Sequence, residues 1–248
     1  MKKEDYCHIC GKKQKMSYEH IPPHSAFNNI PRKMVSIDVL DMNVENNWDV
    51  EGHRYKSFQR GFGFYSLCEK CNNTTGDLYG KEYVRVTNLV GNSILKIPQE
   101  TRETSGTYAV VDIEEIDCRA FFKQVLSMFC SLNSIRFGTQ FKEYLLSSDN
   151  VEFDLEKYKL CIYLHSGTMD RVNCFCRLLN PVSKEVTECS EISMFPFGFI
   201  LYNLERSITN TFWGKDITDW GVKNGEKEKL SLDIPFLRCA TGKSLEFT

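Results

Sequence analysis

Two short cysteine pairs, Cys7-His8-Ile9-Cys10 and Cys68-Glu69-Lys70-Cys71, bracket a stretch in which an acid and an imidazole stand side by side: Glu19-His20 in MSYEHIPPHSAF. Each pair has the two-residue spacing of a zinc knuckle and is followed by a turn-forming residue, Gly11 or Asn72. Four thiolates at about 2.3 Å from Zn²⁺ form a closed tetrahedral site that contributes folding free energy directly. Such a site keeps no open coordination position, so its metal is structural. Any chemistry must then come from residues 11 to 67, which the two knuckles enclose. A thioredoxin-like redox motif would need only one such pair, set between a strand and a helix.

Within the enclosed stretch, Pro22 and Pro23 exclude a helix that would bring His20 and His24 together as zinc ligands. In an extended strand Glu19 and His20 point to opposite sides, unless the strand ends there and the chain twists. One of them can then face a metal while the other faces the reacting group. His24 is a candidate for a phosphate or supporting contact, and exposed at a chain bend otherwise. The stretch HRYKSFQRGF interleaves Arg54, Lys56 and Arg60 with aromatic residues, a composition suited to a phosphate backbone and equally to a solvated basic face. His53, beside it, is expected in a loop.

The order CxxC, then EHIPP, then LCEKCNN followed by a helix, resembles the HNH endonuclease family of ββα-metal nucleases in its zinc-stabilised form. The resemblance covers about residues 5 to 85. It implies that His20 is the general base, that Glu19 holds a catalytic divalent metal, Mg²⁺ or Mn²⁺, and that Asn72 is the second protein ligand, with Asn73 as the alternative register. The chemistry is consistent with those roles. Imidazole is a suitable base near neutrality, and carboxylate and amide oxygens suit hard divalent cations. In the family, a middle Asn nine positions before the final ligand braces the loop that carries the base. Here that position is Gly63, whose backbone is expected to take over the bracing.

The elements that must position these groups are partly legible. NNTTGDLYGKEYVRVTNLVGNSILKI begins with capping residues and continues with helical spacing through Tyr79, Tyr83, Val86 and Leu89, which predicts one helix or two short ones. Residues 35 to 55 alternate enough to suggest short strands. PQETRETSGT reads as a linker over 98–107. Beyond it, DCRAFFKQVLSMFCSLN predicts a helix with Phe121, Val125, Met128 and Phe129 on one buried face, and YKLCIYLHSG, RVNCFCRLLN and FPFGFILYNL predict strands. Cys174 and Cys176 share a strand face and are expected to be buried thiols. The fold class is α+β: a zinc-stapled nuclease domain over 1–97 and an α+β domain over 108–248.

Composition excludes several classes. With 42% hydrophobic and 26% charged residues the chain is an ordinary globular protein, and no run of 18 apolar residues suggests a membrane span. The opening residues lack an apolar signal region, and eleven scattered cysteines fit a reducing compartment, so a cytoplasmic location is expected. Residues 1–97 carry net +3 and the remainder −5, which makes the N-terminal part the better polyanion-facing half. The reading that follows is a metal-dependent DNA endonuclease whose single site nicks one strand, with a homodimer needed to break both. The resemblance also implies a fusion partner, since HNH domains, as in some bacterial and phage-defence nucleases, are often joined to a domain that recognises DNA or a signal. Residues 108–248 would then recognise DNA, respond to an activating ligand or partner protein, or dimerise. The alternative is a non-catalytic zinc-stabilised module that binds nucleic acid or protein.

Overall fold

The computed structural model describes residues 4–36, 54–104, 106–147, 151–166, 169–180 and 182–237. Strand β1 (Glu4–Tyr6) and β2 (Lys13–His20) form a hairpin around the first knuckle, and β2 pairs antiparallel with β5 (Gly63–Cys68). Strands β3 (Arg32–Met34) and β4 (Lys56–Phe58) make a separate two-stranded ribbon between them. Helix α1 (Glu69–Thr75) follows β5 without a loop, and a π-helical turn, Gly76–Gly80, leads into α2 (Lys81–Ile94). The helix therefore starts earlier than the Asn/Thr pair suggested, with Cys68 at the N-cap position. Cys71 has to project from the first turn to reach the other cysteines, which sets the start. The short strands expected over residues 35–55 lie largely outside the described residues, as does His53.

The stretch read as a linker contains α3 (Gln99–Glu103), and the chain then enters β6 (Tyr108–Asp117). Helix α4 (Cys118–Leu132) is capped by Asp117, whose Oδ1 accepts from the Ala120 amide at 2.9 Å. Two short helices follow, α5 (Ile135–Gly138) and α6 (Lys142–Leu146). Strands β7 (Tyr158–His165), β8 (Arg171–Leu179), β9 (Val186–Met194), β10 (Phe197–Asn203), β11 (Lys215–Asp216) and β12 (Lys227–Leu237) complete a seven-stranded sheet with β6. Its order is β6-β12-β7-β10-β9-β8, with β11 also pairing β7; β12 and β7 run parallel and the other pairs antiparallel. The chain is thus α+β, as its composition and patterning implied.

Helix α4 was expected to bury one face, but nearly every residue along it is buried. It lies between the helical rod α1–α2 and the large sheet, so it has no solvent side. Phe121 stacks on Tyr83 of α2 at 5.1 Å and meets Phe197 of β10 and Trp220 edge-on at 5.9 and 5.8 Å. Buried residues from Cys7 to Phe236 accordingly belong to one hydrophobic cluster. Strand β8 departs from expectation: a register shift between Asn173 and Cys176 breaks the alternation, Cys174 is exposed and Cys176 only half-buried. Among the described residues, no helix is long and apolar enough to cross a membrane.

His165 ends β7 buried, with Nε2 2.8 Å from the Met169 carbonyl. Burial lowers its pKa to about 4; the Met169 contact opposes this, and Arg32 and Arg102 reinforce it. The folded state therefore holds a neutral imidazole that the unfolded chain would protonate below about pH 6.5. Stability should fall as pH drops from about 6.5 towards 4, by about 3 kcal/mol at pH 4 from this group. Urea unfolding of wild type and His165→Gln at both ends of that window should give a pH difference smaller in the variant by that amount.

Candidate functional site

The four knuckle sulfurs lie within 4.8 Å of one another, with Cys10 Sγ and Cys68 Sγ 4.0 Å apart. A tetrahedron of bonds near 2.3 Å has edges of roughly 3.8 Å, so the cluster can hold a metal ion such as zinc with little adjustment. A hydrogen bond from the Cys71 thiol lowers the Cys7 pKa and raises that of Cys71, and a divalent ion held by the four sulfurs would displace the thiol protons. The first knuckle is also anchored from outside: the His8 amide donates to Ser66 O at 2.9 Å, and His8 Nδ1 lies 3.1 Å from Cys130 O at the end of α4.

From this clip, β2 runs to His20 and stops before Pro22 and Pro23. A bulge between Ser17 and Glu19, where β5 carries one extra residue, breaks the two-residue alternation. Met16 and Glu19 are both buried as a result, and because the strand ends at His20, Glu19 and His20 line one cleft of about 570 Å³ together with His24 and Asn72. Asn73 is exposed and does not line it.

Each of the three central groups is held in a definite state. Glu19 is 5% exposed, has no hydrogen-bond or ion-pair partner among the described residues, and burial pushes its pKa up to about 8. A carboxyl so placed is neutral by itself and becomes a carboxylate only beside a cation. The Asn72 amide donates to Ser17 Oγ at 3.0 Å and to Tyr18 O at 3.3 Å. Since a carbonyl can only accept, and Ser17 spends its own proton on Leu67 O at 3.1 Å, the orientation is determined: Nδ2 faces β2 and Oδ1 is left free. His20 Nε2 lies 3.0 Å from Arg60 O, which makes it the protonated nitrogen and leaves Nδ1 with an open lone pair. Burial lowers the His20 pKa, the Arg60 carbonyl opposes this and the neighbouring His24 adds to it, so the ring is a neutral acceptor at pH 7.

Gly63 meets the base only through its backbone. It pairs with His20 across the β2–β5 ladder, and a Cβ there would stand 2.0 Å from Glu19 O; it is glycine to let the strands close under the acid. A side-chain brace is added by Asn28, which is fully buried and bonds three backbone groups: Nδ2 donates to Pro22 O and Phe62 O at 2.7 and 2.8 Å, and Oδ1 accepts from Phe62 N at 2.8 Å. It sits eight positions after His20, where no spacing rule pointed to it. The remaining signal is Gly61, whose φ of +89° and contact with the Asn28 carbonyl admit no side chain.

A second cleft of about 760 Å³ lies on the other side of His20, lined by His24, Lys56, Arg60, Tyr18 and Tyr65. Lys56, Arg60 and Tyr65 are exposed there, and Arg54 is exposed beyond it. The imidazole thus borders both clefts, the second of which carries a basic, aromatic strip. Comparison with protein-family models, with curated proteins and with solved structures finds no match.

Two outcomes follow. Metal analysis of the purified chain should find one tightly held ion, lost in Cys10→Ser, with a fall in Tm on the order of 10 °C. Phe62 O keeps its bond from the Ile21 amide, so Asn28→Ala leaves Pro22 O and Phe62 N unpaired and should cost about 2 kcal/mol in urea unfolding, with the metal of the four-cysteine cluster retained.

Proposed function

We propose that this chain is a metal-dependent endonuclease of HNH type that hydrolyses DNA phosphodiester bonds. The observation that carries the reading is the convergence of three groups on one cleft: a neutral imidazole with a free Nδ1, a buried carboxyl without a partner, and an amide whose Nδ2 is spent on β2 and whose Oδ1 is not. The four-cysteine cluster holds structural zinc. Glu19 and the Asn72 Oδ1 would hold Mg²⁺ or Mn²⁺, which when bound supplies positive charge for the phosphorane and the leaving oxygen.

His20 takes a proton from water at Nδ1 as the water oxygen bonds to phosphorus and the phosphorus–oxygen bond to the leaving strand breaks. Arg60 O then faces the Nε2 proton of an imidazolium and stabilises it, so the same contact sets the tautomer before reaction and the charge after it. The exposed Lys56 and Arg60 suit backbone phosphates leading to the cleft. The Asn28 brace keeps the segment after His20 against β5, within the tolerance that catalysis requires.

Supercoiled plasmid incubated with the protein and Mg²⁺ or Mn²⁺ should become nicked, then linear. His20→Ala should lower the rate at least about 100-fold with unchanged circular dichroism. Equal cleavage by that variant would reject the base assignment; binding of DNA without cleavage in either metal would leave the non-catalytic zinc module in its place.

A further inference from the structure

The cleft does not end at the acid, imidazole and amide. From Asn72 it continues along the helical rod past Gly76 and Gly80 to Lys81 and Arg85, and its far wall is Gln124 of α4. Gln124 comes from outside the segment that resembles a nuclease, and it is 2% exposed. Its Oε1 is buried with no hydrogen-bond partner, and its amide has none elsewhere among the described residues. A buried amide left unpaired costs about 1–3 kcal/mol, so an unpaired one at a cleft wall points to an incoming partner.

Glycines stand beside that amide. Gly80 faces it, and a Cβ at that position would stand 3.5 Å from Oε1; Gly76 has nothing within 4 Å of its missing Cβ. The two glycines clear one face of the rod. The position of α4 is set by its far end, where Cys130 O meets His8 Nδ1 at 3.1 Å and Ser131 Oγ meets Ser66 Oγ at 2.7 Å. Gln124 is therefore held relative to the clip and β5.

Chemistry narrows the ligand. The amide offers both an acceptor and a donor; a phosphodiester can meet only the N–H side, whereas a sugar hydroxyl or a base edge, which carries O–H or N–H beside an acceptor, can meet both. Lys81, exposed on the same cleft and without an acidic partner among the described residues, suits the phosphate attached to it. We propose that Gln124 and Lys81 form a nucleoside-phosphate subsite beside the reacting groups, with Gln124 contacting the sugar or base and Lys81 the flanking phosphate. The subsite rests on the nuclease reading of the same cleft and makes the second half of the chain part of substrate binding.

The test compares an oligodeoxynucleotide with bis(p-nitrophenyl) phosphate, a phosphodiester that has neither sugar nor base, both with Mn²⁺ and the full chain. Gln124→Met keeps the side-chain volume and removes the amide. It should raise the ratio of oligonucleotide KM to bis(p-nitrophenyl) phosphate KM about tenfold, the size of one lost buried hydrogen bond. Lys81→Ala, at an exposed position, should move the ratio the same way and weaken the salt dependence of oligonucleotide KM. An unchanged ratio in both variants, or equal loss on both substrates, overturns the subsite while the nuclease reading stands. If wild type cleaves neither substrate, the nuclease reading fails and the subsite falls with it.

Discussion

The structure depends first on the closure of a long loop by sulfur. Cys10 and Cys68 are 58 positions apart and their sulfurs are 4.0 Å apart, so the cluster joins the hairpin to the start of the helical rod. Tying such a loop removes chain entropy from the unfolded state worth about 4 kcal/mol by the argument used for cross-links. More is settled than stability. Once Cys68 and Cys71 are committed to the cluster, the first turn of α1 faces β2, and Asn72 meets Ser17 and Tyr18. The amide orientation that frees Oδ1 is a consequence of the clip.

A second layer of constraint acts on the backbone between the knuckles. The bulge in β5 leaves Glu19 buried three residues after Met16, the strand ends at His20 so that both groups line one cleft, and Gly63 allows the strands to approach there. Asn28 then ties Pro22 and Phe62 together, which holds the segment following the imidazole. Acid and base are thus held by ladder geometry and one buried amide rather than by contacts with each other.

The third layer comes from the second half of the chain. Helix α4 supplies core to both the rod and the large sheet, and buried residues on either side of α3 form one cluster. Its polar side chains are therefore conspicuous. Lys123, whose burial lowers its pKa to about 8, lies over the Tyr144 ring at 4.5 Å and near Tyr79 OH at 3.5 Å. Gln124, one residue on, has no such neighbour and stands at the cleft wall.

Local spacing in the sequence determined the cysteine clip, the Glu19-His20 pair, the rod that carries Asn72 and the α4 helix, because knuckles, proline stops and helical periods are written within a few residues of one another. It misdirected where a single inserted residue matters. The bulge in β8 exposes Cys174, expected to be buried, the bulge in β5 sets the buried Met16 and Glu19 three residues apart, and periodicity carries no warning of them. Asn28 and Gln124 were silent because an isolated amide has no spacing signature; what makes each distinctive is the set of backbone groups or the empty space that tertiary packing places beside it. The residue types for chemistry were legible in one dimension, and their convergence was decided by long-range closure and packing.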